Sequence, residues 1–231
     1  MATLNTRLGN ITGSEKGDIQ VFRGIRYAQA PVGDLRFMAP RQTGPWQGTL
    51  DATKFGNRSI QGESAPIFGP AKPDEPDEDC LFLNIYTPGT GGEPRPVLFW
   101  IHGGAYVQGS GNDYDGSVLA AQGDVVVVTI NYRLGVLGFL DLASLGDEYQ
   151  GSASNGFRDQ ICALQWVHDN IADYGGDAGN VTLFGESAGA GSVNALLAAP
   201  SADGLYHRAI SHSGNSVSVA PRDITDQLAA N

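Results

Sequence analysis

One stretch, residues 180–191, constrains the fold of this chain more than any other part of the sequence. It opens with Val181 and Leu183, which have the strand-forming, buried character of a β-strand. The pattern Gly-x-Ser-x-Gly follows at residues 185–189, and small residues continue to Ala199. This order predicts a strand, a sharp corner and then a helix. A corner of this kind is typical of α/β sheets, in which the chemistry lies at the C-terminal ends of the strands.

Ser187 is the candidate nucleophile at this corner. A tight turn brings Gly185 and Gly189 together, where a Cβ on either residue would clash. The serine also precedes a helix N-terminus, whose free N–H groups favour a developing anion. The alternative is a glycine-rich loop that contains a serine, and the flanking strand and helix favour the nucleophile. Glu186 is predicted to lie on the wall of the site, unless it is a solvated acidic residue of the corner.

A second glycine turn, His102-Gly103-Gly104-Ala105, follows another strand-like stretch directly. Acyl transfer needs two or three N–H donors near the nucleophile, and glycines let the backbone supply them. The predicted donors of this oxyanion hole are the N–H groups of Gly104, Ala105 and Ala188. The alternative is a plain glycine turn after a strand. We expect His102 to fix the loop through hydrogen bonds and not to act in catalysis.

Strand patterns and one clear helix pattern alternate after residue 80. Strands are predicted at 81–86, 97–101, 125–132, 181–186 and 208–213, with a helix over 155–173. The third strand is apolar on both faces, as expected of a central strand covered by helices. Asn155 is the predicted N-cap of the helix and Gly175-Gly176 its stop.

The first part of the chain has a different character. Residues 7–30 indicate a small antiparallel hairpin, and residues 56–79 a loop that ends in a solvated acidic run. Together the patterns predict an α/β fold with a mostly parallel central sheet, formed by residues 1–231 as part of one domain without an internal boundary.

Charge and composition limit the partners and the location. The net charge of −11 disfavours nucleic acid and anionic membrane surfaces, although it also serves solubility. No stretch is long enough for a membrane span, and the first residues lack the apolar core of a signal peptide. Cys80 and Cys162 are too few and too far apart for a disulfide framework. A cytoplasmic location is therefore predicted, with secretion left open if the natural start differs.

Several motifs together resemble a known family. They are Phe22–Ala28 with Pro31–Phe37, Glu78–Ile85, Trp100–Tyr106, Asp159–Ile171 and Phe184–Gly191. In this combination the chain resembles the N-terminal portion of type-B carboxylesterases, the cholinesterase-like branch of the α/β-hydrolases. The resemblance implies hydrolysis of a small-molecule carboxylic ester through a serine acyl-enzyme, with no cofactor and no metal. It also places the family's structural ion pair on Arg36 and Glu78.

The chain departs from the family pattern at three places. Extracellular members pair the cysteine that matches Cys80 with an earlier one, but here Ser59 stands in the matching region, so a free thiol is expected. Residues 61–77 contain no tryptophan, and choline esters are therefore not the expected substrates. Ala105 occupies the position of the family's third oxyanion-loop glycine.

The acid and the base of a catalytic triad are not evident in the sequence. After Ser187 the candidates are Asp203, Asp223, Asp226, His207 and His212. In α/β-hydrolases the acid and the histidine follow the serine on separate later strands, whereas Asp203 and His207 are close neighbours and His212 falls on the next strand. The resemblance implies that both lie beyond residue 231, so we expect an N-terminal portion of a longer chain, cut before the C-terminal strands.

Two other interpretations stay open. One is a non-catalytic binding or adhesion protein on the same fold, although such relatives typically lose the serine that this chain keeps. The other is an inactive truncated product that lacks the triad acid and histidine. Acyl and alcohol preference and oligomeric state are left undetermined by the sequence.

Overall fold

The computed structural model describes residues 1–62 and 75–214. The strands are β1 (Ala2–Thr6), β2 (Gly9–Lys16), β3 (Ile19–Arg26), β4 (Thr49–Asp51), β5 (Arg58–Ser59), β6 (Pro76–Asp77), β7 (Phe82–Thr87), β8 (Arg95–Ile101), β9 (Val126–Ile130), β10 (Gly176–Glu186) and β11 (Arg208–His212). The helices are α1 (Ser117–Gly123), α2 (Gly135–Phe139), α3 (Asn155–Asn170) and α4 (Ala188–Leu197). Short 3-10 turns lie at Gly33–Leu35, Gly111–Asp113, Asp147–Tyr149, Ser152–Ser154, Ile171–Tyr174 and Pro200–Ala202. None of the helices in these ranges is long and apolar enough to cross a bilayer.

A nine-stranded sheet forms the centre of the molecule. Its order is β1-β2-β3-β7-β9-β8-β10-β11, with β4 beside β2. The pairs β9–β8, β8–β10 and β10–β11 are parallel, and the path from β1 to β9 is antiparallel. The predicted α/β class with a parallel core is confirmed. The antiparallel part is larger than the predicted hairpin, because β1 and β7 extend it on both sides.

The sheet is buried on both faces at its centre. All five residues of β9 are buried between β7 and β8, which confirms the prediction for this strand. Val126, Val128 and Ile130 point into the larger core, which includes residues of α3 and α4. Val127 points to the opposite face, where it packs with Ala120 of α1. Parallel strands covered by helices on both sides are apolar throughout for this reason.

The ends of α3 differ in part from the prediction. Asn155 is the first helical residue and not the N-cap, which is Ser154. The Asn155 side chain instead donates through Nδ2 to the carbonyl of Phe37 at 2.6 Å, so it ties the helix to a distant loop. The predicted stop is confirmed, because the chain leaves the last turn through Gly175 with a φ of 80°.

The loop predicted over 56–79 contains structure in its described part. The two-residue strands β5 and β6 pair in parallel, while residues 63–74 lie outside the described residues. The acidic run is not simply solvated at its end. Glu78 accepts two bonds from the Arg36 guanidinium, at 2.6 and 2.8 Å, and Asp79 is paired in the same way with Arg26. The family resemblance implied the ion pair between Arg36 and Glu78, and the structure contains it.

A buried ion pair that the sequence analysis did not find joins the segment after β9 to α3. Arg133 donates to Asp159 through Nε at 2.8 Å and through Nη2 at 2.6 Å. Its backbone N–H also reaches this carboxylate at 3.0 Å, and its Nη1 bonds to the carbonyl of Met38 at 2.8 Å. Both side chains are almost completely buried. Three separate parts of the chain therefore meet at one satisfied charge pair.

We predict that Asp159→Asn lowers the free energy of unfolding by about 3–5 kcal/mol, because it leaves the Arg133 charge buried without its partner. Urea unfolding followed by circular dichroism measures the change. The double replacement Arg133→Met with Asp159→Leu removes both charges and should destabilise less than Asp159→Asn alone. A loss below about 1 kcal/mol for Asp159→Asn would contradict the assigned role.

Both cysteines are free and buried, as expected for Cys80. Burial raises the pKa of each thiol to about 12, which keeps both protonated at neutral pH. The free thiol of Cys80 was one reason to predict a cytoplasmic location, and that location stays a prediction.

The two thiols should resist Ellman's reagent in the native protein and react fully after denaturation without reductant. Burial and the raised pKa both slow thiolate attack. Titration before and after guanidinium addition measures this. Recovery of a peptide in which Cys80 is disulfide-bonded to Cys162 from fresh protein would contradict it.

Candidate active site

Ser187 forms a single-residue corner between β10 and α4. Its backbone has a φ of 55° and a ψ of −119°, a region that residues with a side chain rarely occupy. The corner is held from one side, because the Ser187 N–H donates to the carbonyl of His212 in β11 at 2.9 Å. Ser187 is exposed, so its hydroxyl is accessible. The local conformation is the strained strand-to-helix turn that the sequence pattern predicts.

The two glycines of the pattern allow two different close approaches. A Cβ on Gly185 would lie 2.5 Å from the carbonyl carbon of Gly189, which is the contact expected from the sequence. A Cβ on Gly189 would lie 2.1 Å from the carbonyl oxygen of Ile101, the last residue of β8. Since Ile101 pairs with Gly185 across the sheet, the start of α4 sits directly on the end of β8. The second glycine is therefore required by the neighbouring strand.

The glycine turn after β8 packs against the serine corner. A Cβ on Gly103 would lie 3.1 Å from the Cβ of Ser187 and 2.6 Å from the backbone oxygen of Glu186. It would also lie 3.1 Å from a carboxylate oxygen of Glu186, so this side chain borders the turn. The two motifs that the sequence analysis singled out are thus in direct contact.

Three successive residues of this turn have left-handed backbone. The φ angles are 114° at Gly104, 55° at Ala105 and 62° at Tyr106. Within residues 1–62 and 75–214, the N–H groups of Gly104, Ala105 and Ala188 have no hydrogen-bond acceptor. Unpaired N–H groups near a helix N-terminus are the feature that binds anions in proteins. These three N–H groups are therefore free within the described residues, and their role as oxyanion donors stays a prediction.

His102 fixes this turn through a hydrogen bond and a ring contact. Its Nδ1 donates to the carbonyl of Gly103 at 2.8 Å, and its ring stacks on Tyr132 with centroids 4.5 Å apart. The Tyr132 hydroxyl donates in turn to the backbone oxygen of His102 at 2.9 Å. Burial lowers the pKa of His102 to about 4, so the imidazole is neutral at pH 7. These contacts are those expected of a residue that fixes the loop.

The buried neutral His102 should make stability depend on pH. Between its ordinary pKa of 6.5 and about 4, the unfolded chain binds a proton at this histidine and the folded chain does not. The contribution of neutral His102 to the free energy of unfolding is complete above pH 6.5. It is lost as the pH falls from 6.5 to about 4, and the total loss is about 3 kcal/mol. Urea unfolding at several pH values should show this slope, and His102→Gln should flatten it. Equal slopes for the two proteins would contradict the prediction.

The described bonds of the two histidines after Ser187 do not mark either of them as a catalytic base. His207 accepts the N–H of Val181 at its Nδ1, at 3.1 Å. Val181 precedes Ser187 by six residues of β10, which is about 20 Å of strand. His212 lies opposite Glu186 in β11 and contacts Ser187 through its backbone carbonyl. Among the described residues no carboxylate is bonded to the ring of either histidine.

The remaining acidic candidates do not complete a triad in the described part of the chain. Asp203 follows a 3-10 turn just before His207, and Asp223 and Asp226 lie outside the described residues. Over the same described ranges, no group of three or more His, Cys, Asp or Glu side chains is arranged to hold a metal ion. The structure thus brings together Ser187, the glycine turn and Glu186, and no histidine–carboxylate pair lies beside them within residues 1–62 and 75–214.

A separate apolar cavity of about 240 Å³ lies on the α1 side of the sheet. It is lined by Trp100, Tyr114, Leu119 and Phe184, among others, and the rings of Trp100 and Phe184 are 4.7 Å apart. Ser187 and the three donor residues do not line it. We therefore assign it no part in the candidate site.

Comparison with known proteins decides the family. The model of the carboxylesterase family matches residues 1–230. The chain belongs to the carboxylesterase family. It is 44% identical to the para-nitrobenzyl esterase of Bacillus subtilis (strain 168) over 229 residues, which cover 98% of this chain and 45% of that protein.

Solved carboxylesterase-family structures share the fold as well. A thermophilic para-nitrobenzyl esterase superposes with a TM-score of 0.92 at 43% identity, covering 99% of this chain and 47% of that one. A carboxylesterase of Geobacillus stearothermophilus gives a TM-score of 0.83 at 48% identity, covering 90% and 42%. The predicted α/β-hydrolase fold is confirmed. This chain spans less than half the length of the relatives it matches.

Proposed function

We propose that the protein containing this chain hydrolyses carboxylic esters through a covalent acyl-enzyme at Ser187. The observation that carries the proposal is the packing of the strained, exposed serine corner against the Gly103 turn, where the N–H groups of Gly104, Ala105 and Ala188 have no acceptor among the described residues. Membership of the carboxylesterase family supports the reaction class. The name of the Bacillus subtilis relative makes para-nitrobenzyl esters the first substrates to test.

In the first step the Oγ of Ser187 attacks the ester carbonyl carbon and a new C–O bond forms. The serine proton passes to a general base, and the negative charge develops on the former carbonyl oxygen. That oxygen accepts hydrogen bonds from the N–H groups of Gly104, Ala105 and Ala188. Each such donor contributes roughly 3 kcal/mol to the stability of the transition state, because it is already oriented when the charge appears.

Collapse of the tetrahedral intermediate breaks the bond to the alcohol oxygen, and the base returns its proton to the leaving alcohol. Water then attacks the acyl-enzyme by the same sequence of proton transfers and releases the carboxylic acid. The reaction needs no cofactor in this scheme. Ser187 is regenerated at the end of each turnover.

We place the triad histidine and its acid outside residues 1–231. The described candidates support this, because the His207 ring is bonded about 20 Å along the strand from Ser187 and the His212 ring has no carboxylate partner among the described residues. Glu186 has its carboxylate beside the glycine turn, where a negative charge favours the imidazolium that forms when the base takes up the serine proton.

The test is hydrolysis of 4-nitrophenyl acetate and a para-nitrobenzyl ester by the protein at its natural length. Ser187→Ala should lower kcat by at least about 10⁴-fold and abolish labelling by a fluorophosphonate probe, because it removes the nucleophile. Ser154→Ala is the matched control, since Ser154 is exposed and its side chain makes no capping bond.

Two results would contradict the proposal. Mass spectrometry that places the probe on another residue would exclude Ser187 as nucleophile. Turnover of comparable rate by residues 1–231 alone, lost in Ser187→Ala, would show that the base lies within these residues and would overturn its placement outside them.

A further inference from the structure

Tyr106 is held in the left-handed turn through its side chain and its backbone, while Gly104 accepts backbone bonds from Val107 and Gln108. The Tyr106 ring packs against Phe139 and Phe157, with centroid distances of 5.0 and 5.7 Å. Its backbone oxygen accepts the N–H of Gly135 at 2.7 Å. Ala105, in contrast, is exposed and has only a methyl side chain. Tyr106 therefore supports the strained turn at its C-terminal end, as His102 supports it through Gly103.

The phenol of Tyr106 rests on the helix that follows the nucleophile. A Cβ on Gly191 would lie 2.6 Å from the Oη of Tyr106, closer than such atoms approach each other in proteins. The N–H of Gly191 donates to the backbone oxygen of Ser187 at 2.9 Å and closes the first turn of α4. Burial raises the pKa of Tyr106, so the group that contacts the helix is a neutral phenol.

A glycine inside a helix calls for a reason, because alanine is the better helix former. Gly191 has an ordinary helical backbone, without the positive φ that would itself favour glycine. The phenol oxygen, which lies 2.6 Å from the place that a Cβ would take, supplies the reason. Gly191 is therefore matched to the hydroxyl of Tyr106 and not to the conformation of the helix.

We propose that Tyr106 is a positioning residue for the oxyanion loop, and that the contact of its phenol with Gly191 sets the place of the Gly104 and Ala105 N–H groups relative to Ser187. The inference rests on the proposed esterase function. One helical turn carries both the nucleophile and the surface on which Tyr106 rests. A shift of Tyr106 on this surface moves the donors against the serine, which changes stabilisation of the transition state more than substrate binding.

The experiment is a double-mutant cycle in the protein at its natural length. Gly191→Ala should lower kcat for 4-nitrophenyl acetate by at least about tenfold and leave KM within about twofold, because the new methyl group displaces the phenol. Tyr106→Phe keeps the aromatic packing but removes the phenol oxygen and its hydrogen bond with Ser192, so it should lower kcat, by less than Gly191→Ala does. Adding Tyr106→Phe to Gly191→Ala should restore kcat to within about threefold of Tyr106→Phe alone.

Gly123→Ala is the matched control, because a Cβ at that helical glycine of α1 meets its nearest neighbour at an ordinary 3.4 Å. It should leave kcat unchanged. Hydrogen exchange of the peptide covering residues 102–108 gives a readout that needs no turnover. Exchange should be faster in Gly191→Ala and return to the wild-type rate when Tyr106→Phe is added.

The outcomes separate this inference from the function on which it rests. Unchanged kcat in Gly191→Ala, or no recovery in the double variant, would overturn the positioning role while the esterase assignment stands. If the wild-type protein shows no hydrolysis that depends on Ser187, the proposed function fails, and the exchange rates still decide whether Tyr106 and Gly191 set the loop.

Discussion

The candidate site depends on the distance between the end of one strand and the start of one helix. The backbone oxygen of Ile101 lies only 2.1 Å from the position that a Cβ of residue 189 would take, so glycine is needed for α4 to pack on the end of β8. With the helix in this place, Gly103 meets the serine corner and the turn after it lies beside the helix N-terminus. A methyl group at residue 189 would push these elements apart. The contact is steric, and it sets the spacing between the end of β8 and the start of α4 without a hydrogen bond or a charge.

The strain at the site is supported by the surrounding core. Ser187, Ala105 and Tyr106 all have positive φ, and each such residue costs on the order of 1–3 kcal/mol. A domain of this size is stable by only about 5–15 kcal/mol in total. The neighbouring groups are accordingly well tied: His102 stacks on Tyr132, and the segment after β9 is held by its buried ion pair with α3. Rigid surroundings keep the unfavourable backbone in one conformation.

The sequence predicted those features that short stretches of chain encode. The central strand β9, the elbow at Ser187 and the stop at Gly175 follow from local patterns of apolar residues and glycines, and the structure has them. The prediction that Asn155 caps α3 was wrong, because its side chain bonds to the carbonyl of Phe37 and not to its own helix. A rule for helix ends does not include a partner so far away in the sequence.

Contacts between distant parts of the chain explain what the sequence analysis did not find. No local sequence pattern around Arg133 or Asp159 predicts a buried ion pair. The pair is recognised only in the folded structure, where the two side chains meet. The same holds for Gly191, which the sequence shows as one more small residue in a helix rich in them. The need for glycine at this position comes from the phenol oxygen of Tyr106, which the fold places beside it.

The pairing of β8 with β10 has a consequence for the order of events in folding. These strands are neighbours in the sheet, yet β9 and α3 lie between them in sequence. Closing so long a loop is entropically unfavourable, and contacts of this range form only as the whole sheet condenses. A nascent or partly unfolded chain therefore carries Ser187 without the Gly104–Ala105 turn beside it. The candidate site is thus assembled by the same cooperative step that completes the core.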